Sequence, residues 1–422
     1  LKGFSLTAFI AITGSAFPFL LLPILTRALT KEQYGELVVI ELCLAILTTL
    51  IHFSISGSTV EYYKMDEESL KNYLSMSLYL SFFSFIILQV FVLTFGDIIY
   101  KNFQVSKMWL AVIPLMAFMN VSTKLQNILH VCKRNHLSYA IFLLAPNALI
   151  FISTIIFLYI FGLGYEAKLY SILISFFLFG ISSFFLLFKA GFISFDFKKK
   201  YLPINLSFTI PLLIHSLVAS LYFSADRLFL SKMIGNNAVA IYAAGFQVAA
   251  VMSVLQHAFS TPWHPLVMEL LSEKSVEKYG KKHVFTKLIK NTILSSMIMV
   301  FIAVFLIIVV YYFINIILPH SYEESKGVSI IIIISYCILG FYKIVSPILW
   351  YYNRTSTLSR ITIFVFFVNM LFNYILISKY NVMGACYATL ISVSIQFILT
   401  TIISCNILYN DFVLFEKNKS MK

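Results

Sequence analysis

The sequence predicts an all-α polytopic membrane protein. Three observations predict it: 60% of the 422 residues are hydrophobic and only 12% charged, the mean hydropathy is +0.90, and bilayer-length apolar runs recur along the whole chain. Soluble chains carry about 45–50% apolar and about 25% charged residues. A bilayer core takes about 20 apolar residues per helix. Helices satisfy their own backbone in lipid, and at these run lengths the spanning element is the helix. The 42 Phe and 25 Tyr suit lipid-facing surfaces and interfacial belts, where a ring can sit half wet.

Taken in order, twelve runs qualify: 4–25, 36–60, 72–97, 108–132, 138–161, 166–188, 203–230, 238–268, 284–317, 327–352, 357–378 and 382–408. The first, FSLTAFIAITGSAFPFLLLPIL, lacks a small-residue cleavage pattern and is read as a retained span, not a signal peptide. Pro18, Pro23, Pro114, Pro146, Pro211, Pro262, Pro265 and Pro347 interrupt spans. Each frees backbone groups, as a gating bend or as a fixed packing kink.

Orientation follows from the cations. With the termini on one side and the spans alternating, that side receives 20 Lys and Arg and the other eight, which puts both termini in the cytoplasm. The two longest polar connections, 189–202 and 269–283, fall on the same cytoplasmic side. The first divides the chain into an N-terminal lobe (1–190), a cytoplasmic linker (191–202) and a C-terminal lobe (203–422). The net charge of +13 sits mainly in short segments between spans, as orienting charges do, so no nucleic-acid partner is expected. The five cysteines show no CxxC spacing and indicate neither a disulfide framework nor a zinc site. No HExxH, P-loop or nucleophile elbow is present, so no catalytic residue, metal or cofactor is assigned and the chain is not read as an enzyme.

The halves echo one another. ILHVCKRN (128–135) aligns with ILWYYNRT (348–355) at an offset of 220, EAKLYSILIS (166–175) with GACYATLIS (384–392) near 218, and Asn147 with Asn369 at 222. Spans 4–6 therefore echo spans 10–12. Repeats with an even number of spans lie parallel, about an axis along the membrane normal.

Three cations remain inside spans: Lys124, Arg227 and Lys343. A cation near mid-bilayer costs roughly 2.5–3.5 kcal/mol on insertion scales, and such a residue faces a cavity, a partner or a substrate. Lys124, in MNVSTKLQNILHVCKRN, and Lys343, in GFYKIVSPILWYYNRT, lie 219 apart, at similar depth in equivalent helices. Each is a candidate anion ligand, a side chain that snorkels to the cytoplasmic interface, or half of a salt bridge. Arg227 follows Asp226 in LYFSADRLFLSKM near the outer end of span 7, and adjacent side chains diverge by about 100°. Arg227, like Arg27 at the end of span 1, is an interfacial anchor and packing residue or an outer-gate or headgroup contact, and Asp226 is a candidate for coupling or gating. Glu41, about five residues into span 2, is a candidate for coupling or gating, a cation's partner, or a side chain reaching to the interface. His52, His215, His257 and His264 titrate in a useful range, as relays or as hydrogen-bonded packing.

Three stretches resemble the polysaccharide transporter family. VNMLFNYILISKYNVMGACYATLIS (368–392) is similar to its penultimate hairpin, PFLLLPILTRALTKEQYGELVV (18–39) to its first loop, and FSTPWHPLVMEL (259–270), through Trp263 and Pro265, to its eighth helix. Glu61 departs from the family, many members of which carry a basic residue there. The family belongs to a superfamily of exporters that includes multidrug and toxin extruders and the lipid II flippase. The resemblance implies two six-helix lobes around a central cavity. It also implies transport of undecaprenyl-diphosphate-linked oligosaccharide, an O-antigen or capsule repeat unit, across the bacterial inner membrane. The lipid II flippase usually has fourteen spans, which argues against it here. On this reading the partners are the lipid-linked oligosaccharide, membrane lipids and other polysaccharide-assembly proteins such as a polymerase and a chain-length regulator. Lys124 and Lys343 are then candidate diphosphate ligands, with Arg27 and Arg227 as further substrate contacts. The rivals are a drug or metabolite exporter of the same superfamily, whose signature is an acidic cavity, and a membrane-embedded polymerase or glycosyltransferase.

Overall fold

A computed structural model describes residues 2–103, 105–222, 224–352 and 354–420. All its regular structure among those residues is helical, and contacts divide the chain into two units, Leu1–Ala240 and Ile241–Lys422. Nine helical stretches among the described residues are long and apolar enough to cross a bilayer, and one of them, Ser356–Asp411, covers two of the expected spans.

The first unit holds α1 (Lys2–Ala28), α2 (Lys31–Ile51), the short α3 (Ser58–Glu61), α4 (Glu67–Phe103), α5 (Lys107–Met119), α6 (Val121–Cys132), α7 (His136–Tyr159), α8 (Glu166–Lys189), α9 (Tyr201–Tyr222), α10 (Ala225–Met233) and the first turn of α11 (Asn236–Leu271). Helix α2 starts on a capping box: Thr30 Oγ1 accepts from the Gln33 N–H, and Gln33 Oε1 from the Thr30 N–H, both at 3.2 Å. Two of the four orphan donors of a helix start are met in this way. Along α4, Phe82, Phe83, Ile86, Ile87, Val90 and Phe91 are exposed. Their spacing sets them on one stripe, an apolar face suited to lipid.

Three spans expected to be continuous are broken, and at the first break polar groups from distant sequence complete the backbone. Span 2 stops at Ile51, makes one 3-10 turn over Phe53–Ile55 and resumes as α3. At the break, Ser54 Oγ donates to the Ser77 carbonyl at 2.7 Å, and Asn205 Nδ2 donates to the Ser54 carbonyl at 3.0 Å and to Ser77 Oγ at 2.8 Å. His52 Nε2 donates to the Ala117 carbonyl at 2.8 Å. A break at membrane depth is tolerable only with such replacements. Span 4 is divided at Asn120 into α5 and α6, and span 7 comprises α9, which ends at Tyr222, and α10, which starts at Ala225.

The second unit holds the rest of α11, then α12 (Glu273–Tyr279), α13 (Lys281–Ile317), α14 (Ser325–Tyr351) and α15 (Thr355–Ser420). Small residues let α14 approach α11: Ser325 Oγ donates to the Ile241 carbonyl at 2.7 Å and Ser329 Oγ to the Gly245 carbonyl at 3.0 Å. A Cβ on Gly245 would lie 2.6 Å from the Ser325 carbonyl oxygen, so glycine is the residue that permits the approach. Helix α15 turns at Asn381, whose φ of 52° suits asparagine better than most side chains, and so joins the eleventh and twelfth expected spans. Asp411 ties three elements together, 2.8 Å from Lys281 Nζ and accepting from Tyr352 Oη at 2.7 Å.

Candidate functional site

In the first unit the candidate cation stands on α6. Val121, Leu125, Leu129 and Cys132 are buried and seat this helix against its neighbours. Ser122 Oγ fixes its start by donating to the Gly180 carbonyl of α8 at 2.6 Å. That approach needs glycine, because a Cβ on Gly180 would collide with the Met119 carbonyl. The seating leaves Lys124, Asn127, Ile128 and Val131, at helical spacing, on the opposite face. Lys124 is exposed, and among the described residues it forms no ion pair. It is near enough to His52 to interact electrostatically. One turn on, Gln126 Nε2 lies 3.0 Å from His130 Nε2, and Asn127 Nδ2 donates to the Phe142 carbonyl at 3.3 Å. Gln126 Oε1 and Asn127 Oδ1 are buried acceptors with no hydrogen-bond partner among the described residues.

In the second unit the candidate cation stands on α14. Lys343 is part-buried; its Nζ donates to Gln256 Oε1 at 2.9 Å and lies 3.3 Å from His257 Nε2. Gln256 is fully buried, and its Nε2 donates to the Tyr336 carbonyl at 2.7 Å. That second bond fixes the amide's orientation and aims its oxygen at Lys343. Gly340 makes room: a Cβ there would lie 3.3 Å from Gln256 Nε2. Both partners of Lys343 are uncharged when its ammonium donates to them, so its positive charge is solvated without being cancelled.

The remaining candidates are dispersed. Glu41 pairs with Lys168 of α8 at 2.6 Å, so a cation placed by spacing in an outer loop answers the in-membrane carboxylate. Arg27 turns back on its own helix and donates to the Pro23 carbonyl at 3.1 Å. Asp226 is buried at 3% exposure, and Arg227 beside it is half-buried. His264 lies edge-on to Trp350, with centroids 5.6 Å apart, and the side chain of His215 is outside the described residues. Sequence reasoning missed Gln256 and the Ser54–Ser77–Asn205 cluster. Their signal, a polar side chain inside an apolar run, was present, but their partners lie 23 to 151 residues away.

Comparison with known proteins adds to this geometry. The sequence pattern of the family described as "Polysaccharide biosynthesis protein" matches residues 1–271, and that of MatE matches residues 211–375. A protein of the Lsg locus of Haemophilus influenzae is 24% identical over 368 residues, covering 83% of this chain and 85% of its own. Among solved structures, an inward-facing multidrug resistance MATE family transporter of the MOP superfamily superposes with a TM-score of 0.72 at 14% identity, over 96% of this chain and 98% of that one. The lipid II flippase MurJ gives 0.71 at 15%, over 97% and 92%. At these identities the likeness is one of fold.

Proposed function

Since the chain belongs to the polysaccharide biosynthesis protein family, we propose that it is an inner-membrane flippase moving a polyprenyl-diphosphate-linked oligosaccharide, an O-antigen or similar repeat unit, by alternating access. The reading takes the chain as twelve spans in two six-helix lobes, 1–190 and 203–422, joined by a cytoplasmic segment at 191–202. It places a central cavity for the headgroup and both termini in the cytoplasm. Membrane lipid, and polysaccharide-assembly proteins such as a polymerase and a chain-length regulator, would be its partners.

A diphosphate cannot enter hydrocarbon unaided, because an unpaired buried charge costs many kcal/mol. The observation that carries the substrate class is the uncancelled ammonium in each unit: Lys124 is exposed and forms no ion pair among the described residues, and Lys343 is held by a glutamine and a histidine. Lysine suits a passing phosphate, since it acts as a point charge and imposes no fixed geometry. A drug exporter would need free acids, whereas Glu41 is neutralised by Lys168 and Asp226 is buried. Both facts favour an anion.

The test is complementation. Lys124→Ala and Lys343→Ala should each reduce surface polysaccharide in a flippase-null cell while the protein reaches the membrane in normal amount, and Lys→Arg should retain much of it. Full polysaccharide from both alanine variants would refute the ligand assignment. Glycosyl transfer by the purified protein would replace the flippase reading with an enzyme.

A further inference from the structure

Helix α13 carries two chemistries in succession along one stripe. Its buried side, through Val284, Leu288, Ser295, Met299 and Ala303, is turned toward α12 and α14. On the opposite side Ile293, Met297, Val300, Phe301 and Val304 are exposed and line a groove of about 570 Å³, a size within the ~300–1,000 Å³ of small-ligand sites. Ser296 Oγ, also in its wall, donates to the Thr292 carbonyl at 2.9 Å, so the groove offers chiefly apolar surface. Followed back at the same spacing of three or four residues, the stripe continues through Lys290, Thr286 and Lys282, with Lys287 on its flank. These three lysines are exposed, and among the described residues they form no ion pair. Lys287 stands 5.9 Å from the Tyr279 ring, a contact that leaves its charge uncancelled. The acids closest in sequence, Glu269, Glu273 and Glu277, stand against Lys274, Lys278, Lys281, Lys282, Lys287 and Lys290, so this end of the helix carries net positive charge.

The lengths match one leaflet. Beyond Lys290 no charged residue occurs before α13 ends at Ile317, so Lys290 marks the edge of the hydrocarbon. The groove, from Thr292 to Val304, then descends about 18 Å at 1.5 Å per residue, against about 15 Å for half of a ~30 Å core. Lys287 lies about 4.5 Å above Lys290 along the axis, within the headgroup layer. Lys282 lies about 12 Å above it, and its long stem lets it reach down. Cations that only set orientation work anywhere around a helix. Here Lys282 and Lys290 share the rotational register of the groove.

We propose that this face of α13 binds an anionic glycerophospholipid of the leaflet at its Lys281 end, with the phosphate on Lys287 and Lys290, Lys282 reaching to the headgroup, and an acyl chain along the groove from Ile293 to Val304. On the orientation proposed above this is the cytoplasmic leaflet, whose anionic lipids attract juxtamembrane lysines. A zwitterionic lipid offers the same chain, but its phosphate is already answered by its own cation, so the lysines select for net negative charge. Each lysine contributes about fivefold in affinity, an advantage that fades with salt. The bound lipid seats α13 at a fixed depth. The site is separate from Lys343, and the inference stands or falls independently of the diphosphate reading.

Native mass spectrometry of the purified full chain in detergent tests it, with dioleoyl-phosphatidylglycerol and dioleoyl-phosphatidylcholine as competing probes. Wild-type protein should retain one phosphatidylglycerol per chain in preference to phosphatidylcholine. Lys282→Gln, Lys287→Gln and Lys290→Gln combined should cut that preference by roughly a hundredfold, and arginine at the same three positions should keep it. Ser296→Trp, which fills the groove without touching the charge, should weaken retention of the phosphatidylglycerol. Lys198→Gln, Lys199→Gln and Lys200→Gln combined remove three exposed lysines elsewhere and should leave the preference unchanged. A wild-type chain that holds both lipids equally, or an equal loss in the two triple variants, overturns the site. Displacement of the phosphatidylglycerol by farnesyl-diphosphoryl-N-acetylglucosamine would overturn it too, by giving the groove to the transported lipid.

Discussion

Replacing Glu41 separates a structural carboxylate from a moving one. Its oxygen is 2.6 Å from Lys168 Nζ, with the two side chains 30% and 14% exposed. At an effective dielectric of about 20, unit charges at that separation attract by roughly 6 kcal/mol. Desolvation and side-chain ordering offset most of this, and partial solvation lowers the cost of orphaning Lys168 to about 1–3 kcal/mol, below that of a fully buried pair. Glu41→Gln keeps the shape and one acceptor, so it should fall at the low end, and Glu41→Ala at the high end. Lys168→Glu alone sets two carboxylates together and should be worse than either. The swap Glu41→Lys with Lys168→Glu should recover most of the loss. Denaturant unfolding of the detergent-solubilised protein reads stability, and surface polysaccharide in a flippase-null cell reads function. A structural partner makes the two fall together and return together in the swap. If Glu41→Gln abolished function at wild-type stability, and the swap did not restore it, the carboxylate would be a working part and the reasoning here refuted.

Two further outcomes follow from the polar groups that replace broken backbone bonds and cap helices. Asn205→Ala removes two donated bonds and leaves the buried Ser54 carbonyl unpaired, which should destabilise the protein by about 2–4 kcal/mol in the same unfolding assay; a change under about 0.5 kcal/mol would remove the network as the support of that break. Asp66 accepts from the Ser69 N–H at 3.2 Å at the start of α4, and these bonds to Ser69 hold its carboxyl below the usual range. A depressed value in the folded state means that its contribution is complete above the ordinary carboxylate pKa of about 3.9 and is lost as pH falls through the lower folded value. Amide-exchange protection in the first turn of α4 should therefore decline below about pH 4 in the wild type, and an identical decline in Asp66→Asn would show that the cap is not its cause.

Spans were legible because length and hydropathy are local, additive properties, and a run such as 284–317 carries its own answer. The breaks were not. Whether the helix stops at His52 depends on Asn205, which lies 151 residues beyond Ser54 in the chain and supplies the donor that the Ser54 carbonyl would otherwise lack. The SISGS stretch there contains poor helix formers, so a weak point was visible, but not whether anything would complete it. Lys168 shows a different limit. Counting cations by side treats each as independent of its neighbours, so it registers as loop charge although Glu41 is its partner. Opposite charges expected at similar depth on spans 2 and 6 were the available clue. Arg134 is one of the cations that follow span 4 on the cytoplasmic side, and it also closes the end of α6 with φ 56°, followed by a 2.9 Å bond from the Asn135 N–H to the His130 carbonyl. Glycine usually fills that place, and no composition rule points to an arginine.

The same limit bears on the two lysines. The repeat suggests equivalence, since they lie 219 residues apart on corresponding spans, but their surroundings differ. Lys343 is held in one place by Gln256, whose other end is itself held by a backbone carbonyl. Lys124 is exposed on a face whose nearest polar neighbours include Asn127, with an acceptor still unpaired among the described residues. A fixed ammonium loses little conformational freedom when it meets a phosphate, whereas a free lysine gives up as much as about 2 kcal/mol of side-chain entropy. On the proposed function the two would then bind with unequal strength by construction, Lys343 more tightly. That inequality is useful, because a carrier must hold its cargo well enough to load it and loosely enough to let it go. Two equally strong ligands would retain the diphosphate. One fixed and one mobile cation allow it to be captured and then passed on, so loss of Lys343 should appear first in affinity and loss of Lys124 first in turnover.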